Sequence, residues 1–330
     1  MNQTIHKLAM IAVVVAFCVI VLGAWVRLSH AGLGCPDWPG CYGHATWPEA
    51  THEIAEANLA FPERPVEPGK AWREMVHRYL AGLLMLLVFA IAWKAWRDPY
   101  VNRVARYIAT VLVLLIIFQA LLGMWTVTLK LKPVIVMAHL LGGLGSFSML
   151  LWLMFSNRRR VGDKPSMRIQ RMRSPIITAI VVLTMQIALG GWTSANYAAL
   201  ACPDLPQCTG QWWPETNFSE AFVLWREVGV NYEGGILDQP ARAAIHLTHR
   251  IGAVITLLVL VTLAIRAYRL PKLRGGSQLL MALVLAQFTL GVLNVMLHLP
   301  LPNAVAHNAG AALLLATLLG LLDKTATRTY

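Results

Sequence analysis

The chain has 330 residues, of which 57% are hydrophobic and 13% are charged. A soluble domain carries roughly one quarter charged residues, so this composition excludes an ordinary soluble protein and indicates a membrane protein. The formal net charge is +12, but the basic residues are scattered between apolar segments. They form no soluble basic face of the kind that binds nucleic acid.

Eight apolar segments of spanning length follow one another along the chain, which makes membrane lipid the first predicted partner. Continuous apolar runs without period-two alternation predict helices, and the fold class is therefore an all-α polytopic membrane protein. The first segment exceeds the apolar region of a secretory signal, so we expect a retained helix. The predicted helices are Leu8–Arg27, Ala71–Trp96, Val104–Leu129, Pro133–Phe155, Ser174–Thr193, Ala241–Ile265, Ser277–Leu297 and Asn303–Leu322.

The segments between the predicted helices differ in charge. Clusters of lysine and arginine follow the second, fourth and sixth helices, whereas most acidic residues lie in the two long segments Leu28–Lys70 and Ser194–Pro240. By the positive-inside rule, the basic segments and both termini are cytoplasmic, and the two long loops face outward.

The second half of the sequence repeats the first. Residues 1–160 and 161–330 each hold four predicted helices, so the copies should share one orientation, related by an axis along the membrane normal. Corresponding residues are separated by 167 to 172 positions: Cys35–Cys41 matches Cys202–Cys208, His77 matches His249, and His139 matches His307.

Four of the five cysteines lie in the outer loops, as the pairs Cys35/Cys41 and Cys202/Cys208. An oxidising outer compartment permits disulfides, so two local bridges are plausible. Each pair could be a structural staple for its long loop. Each could instead be redox-active and pass electrons by thiol–disulfide exchange.

Four histidines lie at a common depth on the even-numbered helices, roughly 9 Å below the outer boundary at 1.5 Å per residue. They are His77, His139, His249 and His307. Ionisable side chains at membrane depth are functional-site hypotheses by default. Within each half, two neutral imidazoles can ligate one metal from opposite sides, which suits a haem buried between helices better than a zinc site with about four ligands.

Charged residues accompany the histidines. Arg78 and Arg250 directly follow a histidine and could bind haem propionates or form a salt bridge to a loop acid. Glu74 lies one turn before the first histidine, where the second half has His246. A carboxylate near a haem edge can accept a proton or stabilise positive charge, which favours chemistry in the N-terminal half. The alternative is that Glu74 pairs with Arg73, Arg78 or loop charges.

Glutamine and glycine recur one helical turn apart in three of the helices. We interpret these residues as close packing positions between helices in lipid. The pairs are Gln119/Gly123, Gln186/Gly190 and Gln287/Gly291.

Taken together, this pattern resembles the haem A synthase family over essentially the whole chain. The residues that carry the resemblance are Glu74-x-x-His77-Arg78, His139, His249-Arg250, His307 and the outer pair Cys35/Cys41. The resemblance implies oxidation of a ring methyl of haem O to the formyl group of haem A, by successive hydroxylation and loss of water.

The resemblance also implies roles for individual residues, with Glu74 as a catalytic or cation-stabilising group. The pair Cys202/Cys208 occurs in only some members of the family. The remaining implied roles are substrate haem O ligands for His77 and His139, haem b cofactor ligands for His249 and His307, and a functional redox pair for Cys35 and Cys41.

The setting implied by the same resemblance is the inner membrane of an aerobic bacterium. A haem O synthase would be the neighbour that supplies the substrate, and cytochrome oxidase assembly would receive the product. The electron acceptor or donor is left unidentified, and a homo-oligomer is compatible with the pattern.

Three other functions fit parts of the sequence. A bis-histidine di-haem b protein could transfer electrons between a quinol and an outer acceptor, without modifying a porphyrin. A membrane disulfide oxidoreductase would account for the cysteine pairs but not for four intramembrane histidines. A transporter is compatible with the duplicated bundle, although a helix break at mid-membrane is not evident.

Overall fold

The computed structural model describes residues 3–156 and 165–326. These residues form eleven α-helices and no β-strand, and eight of the helices are long and apolar enough to cross a membrane. The helices are α1 Gln3–Leu28, α2 Thr51–Ala60, α3 Pro68–Arg97, α4 Arg103–Thr128, α5 Pro133–Ser156, α6 Met167–Gln170, α7 Arg173–Ala195, α8 Phe218–Ala221, α9 Gln239–Tyr268, α10 Arg274–Met296 and α11 Leu301–Thr325.

The prediction of an all-α membrane protein with eight spanning helices is therefore confirmed. The helices α2, α6 and α8 are short, and α2 and α8 lie within the two long loops. Part of the basic segment after the fourth predicted helix, and the boundary between residues 160 and 161, lie outside the described residues.

Helices α3 and α9 begin earlier than the apolar runs that predicted them. Both start with proline in the first turn, where its missing N–H costs nothing. The Asp238 carboxylate caps α9 by accepting from Ala241 N at 2.9 Å. The polar first turn of each helix precedes its apolar part and carries ionisable residues. A prediction from hydropathy therefore does not include it.

The two groups of four long helices pack in the same cyclic order. Helix α3 lies between α1 and α4, and α5 completes the ring by packing on both α4 and α1. Likewise α9 lies between α7 and α10, and α11 packs on both α10 and α7. The two rings meet where α5 and α11 contact each other, α1 contacts α11 and α5 contacts α7.

The main hydrophobic core occupies the end of the bundle away from the long loops. Small buried side chains on α1, Ala9, Ala12 and Ala16, let the neighbouring helices approach closely. On α3 this core begins at Leu84 and on α5 at Leu144, below the level of the predicted histidine ligands. The histidine level is thus separate from the close-packed core.

The second long loop reaches across to the first ring. Tyr232 N donates to Lys130 O at 3.0 Å, in the turn between α4 and α5. The Glu233 carboxylate forms an ion pair with Arg64 of the first loop at 2.9 Å, and Arg64 also donates to Leu33 O. These contacts join the two rings at the end that carries the long loops.

The ends of α1 and α7 are joined by one arginine. Arg27 Nη2 donates to Ser194 O at 2.6 Å and to Ala195 O at 3.5 Å, in the last turn of α7. Its guanidinium also lies 4.2 Å from the ring centroid of Tyr197, which stacks with His30. A cation at a helix C-terminus satisfies orphan carbonyls and complements the helix dipole.

We predict that Arg27→Met lowers the thermal stability of the purified protein. The substitution keeps an apolar stem and removes the donors to Ser194 and Ala195, which costs about 1–3 kcal/mol for unsatisfied acceptors. The apparent Tm in detergent, followed by tryptophan fluorescence, should fall by a few degrees. The Tm of Arg27→Lys, which retains the charge, should fall less. An unchanged Tm in Arg27→Met would contradict the role assigned to this contact.

Candidate functional site

The four predicted histidines are paired by the fold. His77 on α3 lies near His139 on α5, and His249 on α9 lies near His307 on α11. All four side chains lie within the bundle yet are only partly buried. Each ring of four helices thus brings together two imidazoles that remain partly exposed.

Each imidazole lies against a glycine of a neighbouring helix. A Cβ atom added at any of these glycines would lie 3.0–3.5 Å from the histidine Cε1. Three of the four distances are shorter than an ordinary van der Waals contact. The pairs are Gly23 with His77, Gly123 with His139, Gly190 with His249, and Gly291 with His307. At Gly23, Gly190 and Gly291 a Cβ atom would crowd the imidazole, so these three glycines provide space for it, whereas at Gly123 the contact would be an ordinary one.

Two of the three glutamines that lie one turn before these glycines also form hydrogen bonds to the histidines. Gln186 Nε2 donates to both Nδ1 and the main-chain oxygen of His249, each at 3.0 Å. Gln287 Nε2 donates to His307 O at 2.9 Å. The interpretation of these residues as packing positions was incomplete, and the repetition of the Gln-x-x-x-Gly spacing was the signal that could have identified them.

Both predicted disulfides are present in the two long loops. The Cα atoms are 4.8 Å apart in Cys35–Cys41 and 4.5 Å apart in Cys202–Cys208. All four cysteines are buried. The cysteine pairs are therefore closed inside their loops and shielded from solvent.

The two disulfide loops are built with the same hydrogen bonds. The Asp37 carboxylate accepts from Tyr42 N and Gly43 N at 2.6 and 2.7 Å. Asp204 accepts from the two corresponding N–H groups, which hold the pKa of its carboxyl below the usual value. Burial raises the pKa of Tyr42 to about 12, and its hydroxyl donates to Pro65 O. This tyrosine is thus a neutral hydrogen-bond donor at physiological pH.

Glu74 connects the first histidine helix to the first disulfide loop. Its Oε2 accepts from Cys35 N at 3.0 Å, and its Oε1 accepts from Arg78 Nη2 at 2.5 Å. Arg78 Nη1 donates in turn to Asp37 O at 3.0 Å and to Gly40 O at 2.5 Å. The pairing of Glu74 with Arg78, expected as an alternative, is present, and Arg78 contacts loop carbonyls instead of a loop acid.

The second ring repeats this connection with an imidazole in place of the carboxylate. Nδ1 of His246 accepts from Cys202 N at 3.2 Å, and Arg250 Nε contacts His246 Nε2 at 3.3 Å. Arg250 also donates to Cys202 O, Asp204 O and Gln207 O. The two halves therefore share one scaffold and differ in charge at a single buried acceptor.

The donor set suits a haem better than a bare metal ion. Within the described ranges, no group of three or more His, Cys, Asp and Glu side chains could hold an ion. Two imidazoles from each ring would instead be able to hold a haem iron. Nδ1 of His77, His139 and His307 is buried without a hydrogen bond to any described residue, so nothing holds these rings in a competing polar contact.

Comparison with known proteins extends over both rings. A model of the cytochrome oxidase assembly protein family matches residues 6–319. The chain is similar to Heme A synthase of Shewanella oneidensis, with 47% identity over 308 residues that cover 93% of this chain and 92% of that protein. It is 26% identical to the Heme A synthases of Rhizorhabdus wittichii and Shouchella clausii, covering 96% and 90% of this chain and 92% and 89% of those proteins.

We predict that Gly190→Ala weakens retention of the haem expected at His249 and His307. The new methyl group would lie 3.1 Å from His249 Cε1 and push the ring by a few tenths of an ångström, an overpacking cost of about 1–3 kcal/mol. Haem per protein, measured as pyridine haemochrome, should fall several-fold. Gly275→Ala is the matched control because no atom lies within 4 Å of its new Cβ, and equal haem content in the two variants would contradict the prediction.

Proposed function

We propose haem A synthase activity for this chain, because the chain belongs to the cytochrome oxidase assembly protein family. The family resemblance read from the residues is confirmed by relatives that are named Heme A synthase and match both halves. The activity oxidises a ring methyl of haem O to a formyl group, by successive hydroxylation and loss of water, and gives haem A for cytochrome oxidase.

The N-terminal ring is the proposed substrate site, with His77 and His139 as ligands of the haem O iron. One observation carries this assignment. In this ring alone, the histidine pair adjoins a buried carboxylate that is hydrogen-bonded to a disulfide loop, through Glu74 and Cys35. In the second ring a neutral imidazole acceptor occupies the matching position.

Glu74 is proposed as the catalytic carboxylate. Both of its oxygens are held in place, one by Arg78 and one by Cys35 N. A carboxylate fixed one turn from His77 can stabilise positive charge that develops on the oxidised substrate, or hold a proton released from it. The proposed redox role of Cys35 and Cys41 follows from this contact, since opening their disulfide takes up two electrons and two protons.

The C-terminal ring is the proposed cofactor site, in which His249 and His307 would hold haem b. When bound, haem b supplies one-electron transfer. The glutamine contacts support this assignment, because the residues that hold the ring or the main chain of a ligand fix its orientation. A retained cofactor needs ligands that are held in this way.

Arg78 and Arg250 are better supported as residues that hold the disulfide loops than as propionate ligands. Each uses its guanidinium on main-chain oxygens of the loop and on the acceptor one turn before it. A propionate would have to compete with these contacts. The proposed setting is a bacterial inner membrane with cytoplasmic termini, between a haem O synthase and cytochrome oxidase assembly.

We expect purified protein to contain haem b together with haem A or a hydroxylated form of haem O. The protein would be prepared from cells that co-express haem O synthase, and its non-covalent haems separated by chromatography with mass detection. In His249→Ala, haem b should disappear from the extract, because one of its two proposed ligands is lost. Haem b alone, beside unchanged haem O, would contradict the proposal and favour the electron-transfer protein.

We expect Glu74→Gln to retain haem b and to reduce product formation by about 10²-fold or more, the usual contribution of a catalytic acid or base. Glutamine keeps the volume and an acceptor for Cys35 N but removes the charge. His246→Gln is the matched control, because it changes the equivalent acceptor without a change of charge. Equal losses in both variants, or full activity in Glu74→Gln, would assign Glu74 to holding the loop.

A further inference from the structure

Two grooves lie on the surface of the bundle, at the end away from the long loops. The first is formed by the end of α3 and the first turns of α4, and its volume is about 510 Å³. The second is formed by the end of α9 and the first turns of α10, and its volume is about 450 Å³. Exposed apolar and aromatic side chains of spanning helices line both grooves, so both open where the bundle faces the membrane.

The grooves occupy equivalent positions in the two halves of the chain. The lining residues that match on α3 and α9 are 172 positions apart, as are His77 and His249. Those that match on α4 and α10 are 168 positions apart, as are Gln119 and Gln287. The matched pairs include Trp96/Tyr268, Arg97/Arg269 and Thr110/Gln278. The groove is therefore a feature of the duplicated scaffold.

The inner surface of each groove is apolar. Ala92 and Ala264 belong to the main hydrophobic core, and their small side chains leave room above them. In the first groove, Trp96 Nε1 donates to Thr110 Oγ1 at 3.1 Å, which joins the two helices beside the groove. Exposed aromatic side chains on spanning helices are enriched at the membrane–water interfaces. The grooves therefore lie where acyl chains meet headgroups.

One arginine lines each groove, Arg97 in the first and Arg269 in the second. Both side chains are exposed, and neither guanidinium forms a hydrogen bond or an ion pair with a described residue. The guanidinium carbon of Arg97 lies 4.5 Å from the ring centroid of Trp93. The neighbouring basic residues in the sequence are Lys94, Arg103 and Arg106 for the first groove, and Arg266, Lys272 and Arg274 for the second.

These features fit a phospholipid with an anionic headgroup. An acyl chain would lie on the apolar surface, and the headgroup phosphate would accept hydrogen bonds from the guanidinium. Basic pockets between spanning helices are a known type of site for such headgroups. Trp96 and Tyr268 each lie nineteen residues after a candidate haem ligand, roughly 28 Å along the helix. The grooves are therefore separate from the haem sites.

A second copy of this chain fits the grooves less well than a lipid does. Among the described residues, those at this end of the bundle include two acids, Asp98 and Asp323, beside the basic clusters. A second copy would bring mostly like charge to Arg97 and Arg269, and juxtaposed like charges are unfavourable. An anionic headgroup supplies the opposite charge.

We propose that each groove binds an anionic phospholipid, with an acyl chain on the apolar surface and the headgroup phosphate at Arg97 or Arg269. Because this lipid contacts both helices of a pair, it stabilises α3 against α4 and α9 against α10. The site lies at the opposite end of the bundle from the histidines, and it does not depend on the proposed catalytic activity.

Native mass spectrometry of the delipidated full chain in detergent measures this binding. Phosphatidylglycerol would be titrated, with phosphatidylcholine of the same acyl chains as the control without net charge. We expect two molecules of phosphatidylglycerol to bind, each about fivefold more tightly than phosphatidylcholine, which is the contribution of one basic residue near an anionic headgroup. Equal affinities for the two lipids would overturn the proposal.

The role of the arginines is tested by the removal of one charge at a time. Arg97→Gln should weaken one of the two phosphatidylglycerol sites about fivefold, and Arg97→Gln with Arg269→Gln should weaken both. Arg103→Gln is the matched control, because Arg103 lies in the same basic segment but does not line the groove. Equal losses in Arg97→Gln and Arg103→Gln would show attraction to a basic surface without a site, and would overturn the proposal.

The role of the apolar surface is tested by filling the second groove. Ala282 lines this groove and is exposed, so Ala282→Trp adds bulk outside the core. The number of tightly bound phosphatidylglycerol molecules should fall from two to one. Leu285→Trp is the control, because Leu285 is exposed on the same helix and does not line the groove. Two lipids still bound to Ala282→Trp, or a dimer in place of bound lipid in the unmodified protein, would overturn the proposal.

Discussion

The hydrocarbon core of a bilayer offers no hydrogen bonds, so an imidazole in this bundle depends on the neighbouring helix for its space and for any polar contact that it makes. Glycine on that helix provides the space, as Gly190 does for His249. Glutamine one turn earlier provides the polar contact, as Gln186 does for the same ring. The contacts that pack the helices are therefore also those that orient the candidate ligands, and a change in either alters both.

The two long loops are held by contacts at the ends of the helices. A single acceptor one turn above the histidine receives the N–H of the first cysteine, and an arginine one turn further along satisfies the loop carbonyls. The scaffold tolerates either a carboxylate or an imidazole as that acceptor, as Glu74 and His246 demonstrate. Charge can therefore change beside one histidine pair without a change in the fold that holds it.

The sequence was sufficient for the eight spanning helices because apolar length is a local property. It was also sufficient for both disulfides. The early starts of α3 and α9 were missed because their first turns are polar. The contact of Cys35 with Glu74 could not be predicted, because it joins residues 39 positions apart through a loop whose path depends on tertiary packing.

The contacts between glycine and histidine could be predicted from the sequence only in part. Helical spacing shows that a glutamine and a glycine share a face, but not which residue of which helix they meet. The duplication contains that information in part, because a position that recurs beside every histidine is more than a packing position. Gly23 recurs with the others although its glutamine does not, which marks space for the ring as the more general requirement.

The positions at which the first half differs from the second support the proposed function. Val19 on α1 and Leu80 on α3 replace a glutamine and a glycine of the second half, and Glu74 on α3 places a negative charge one turn from a histidine. These changes are independent of one another, since the first two alter packing in the bundle and the third alters a contact to the loop. All three surround His77. The departures from the repeat therefore lie in the ring that is proposed as the substrate site.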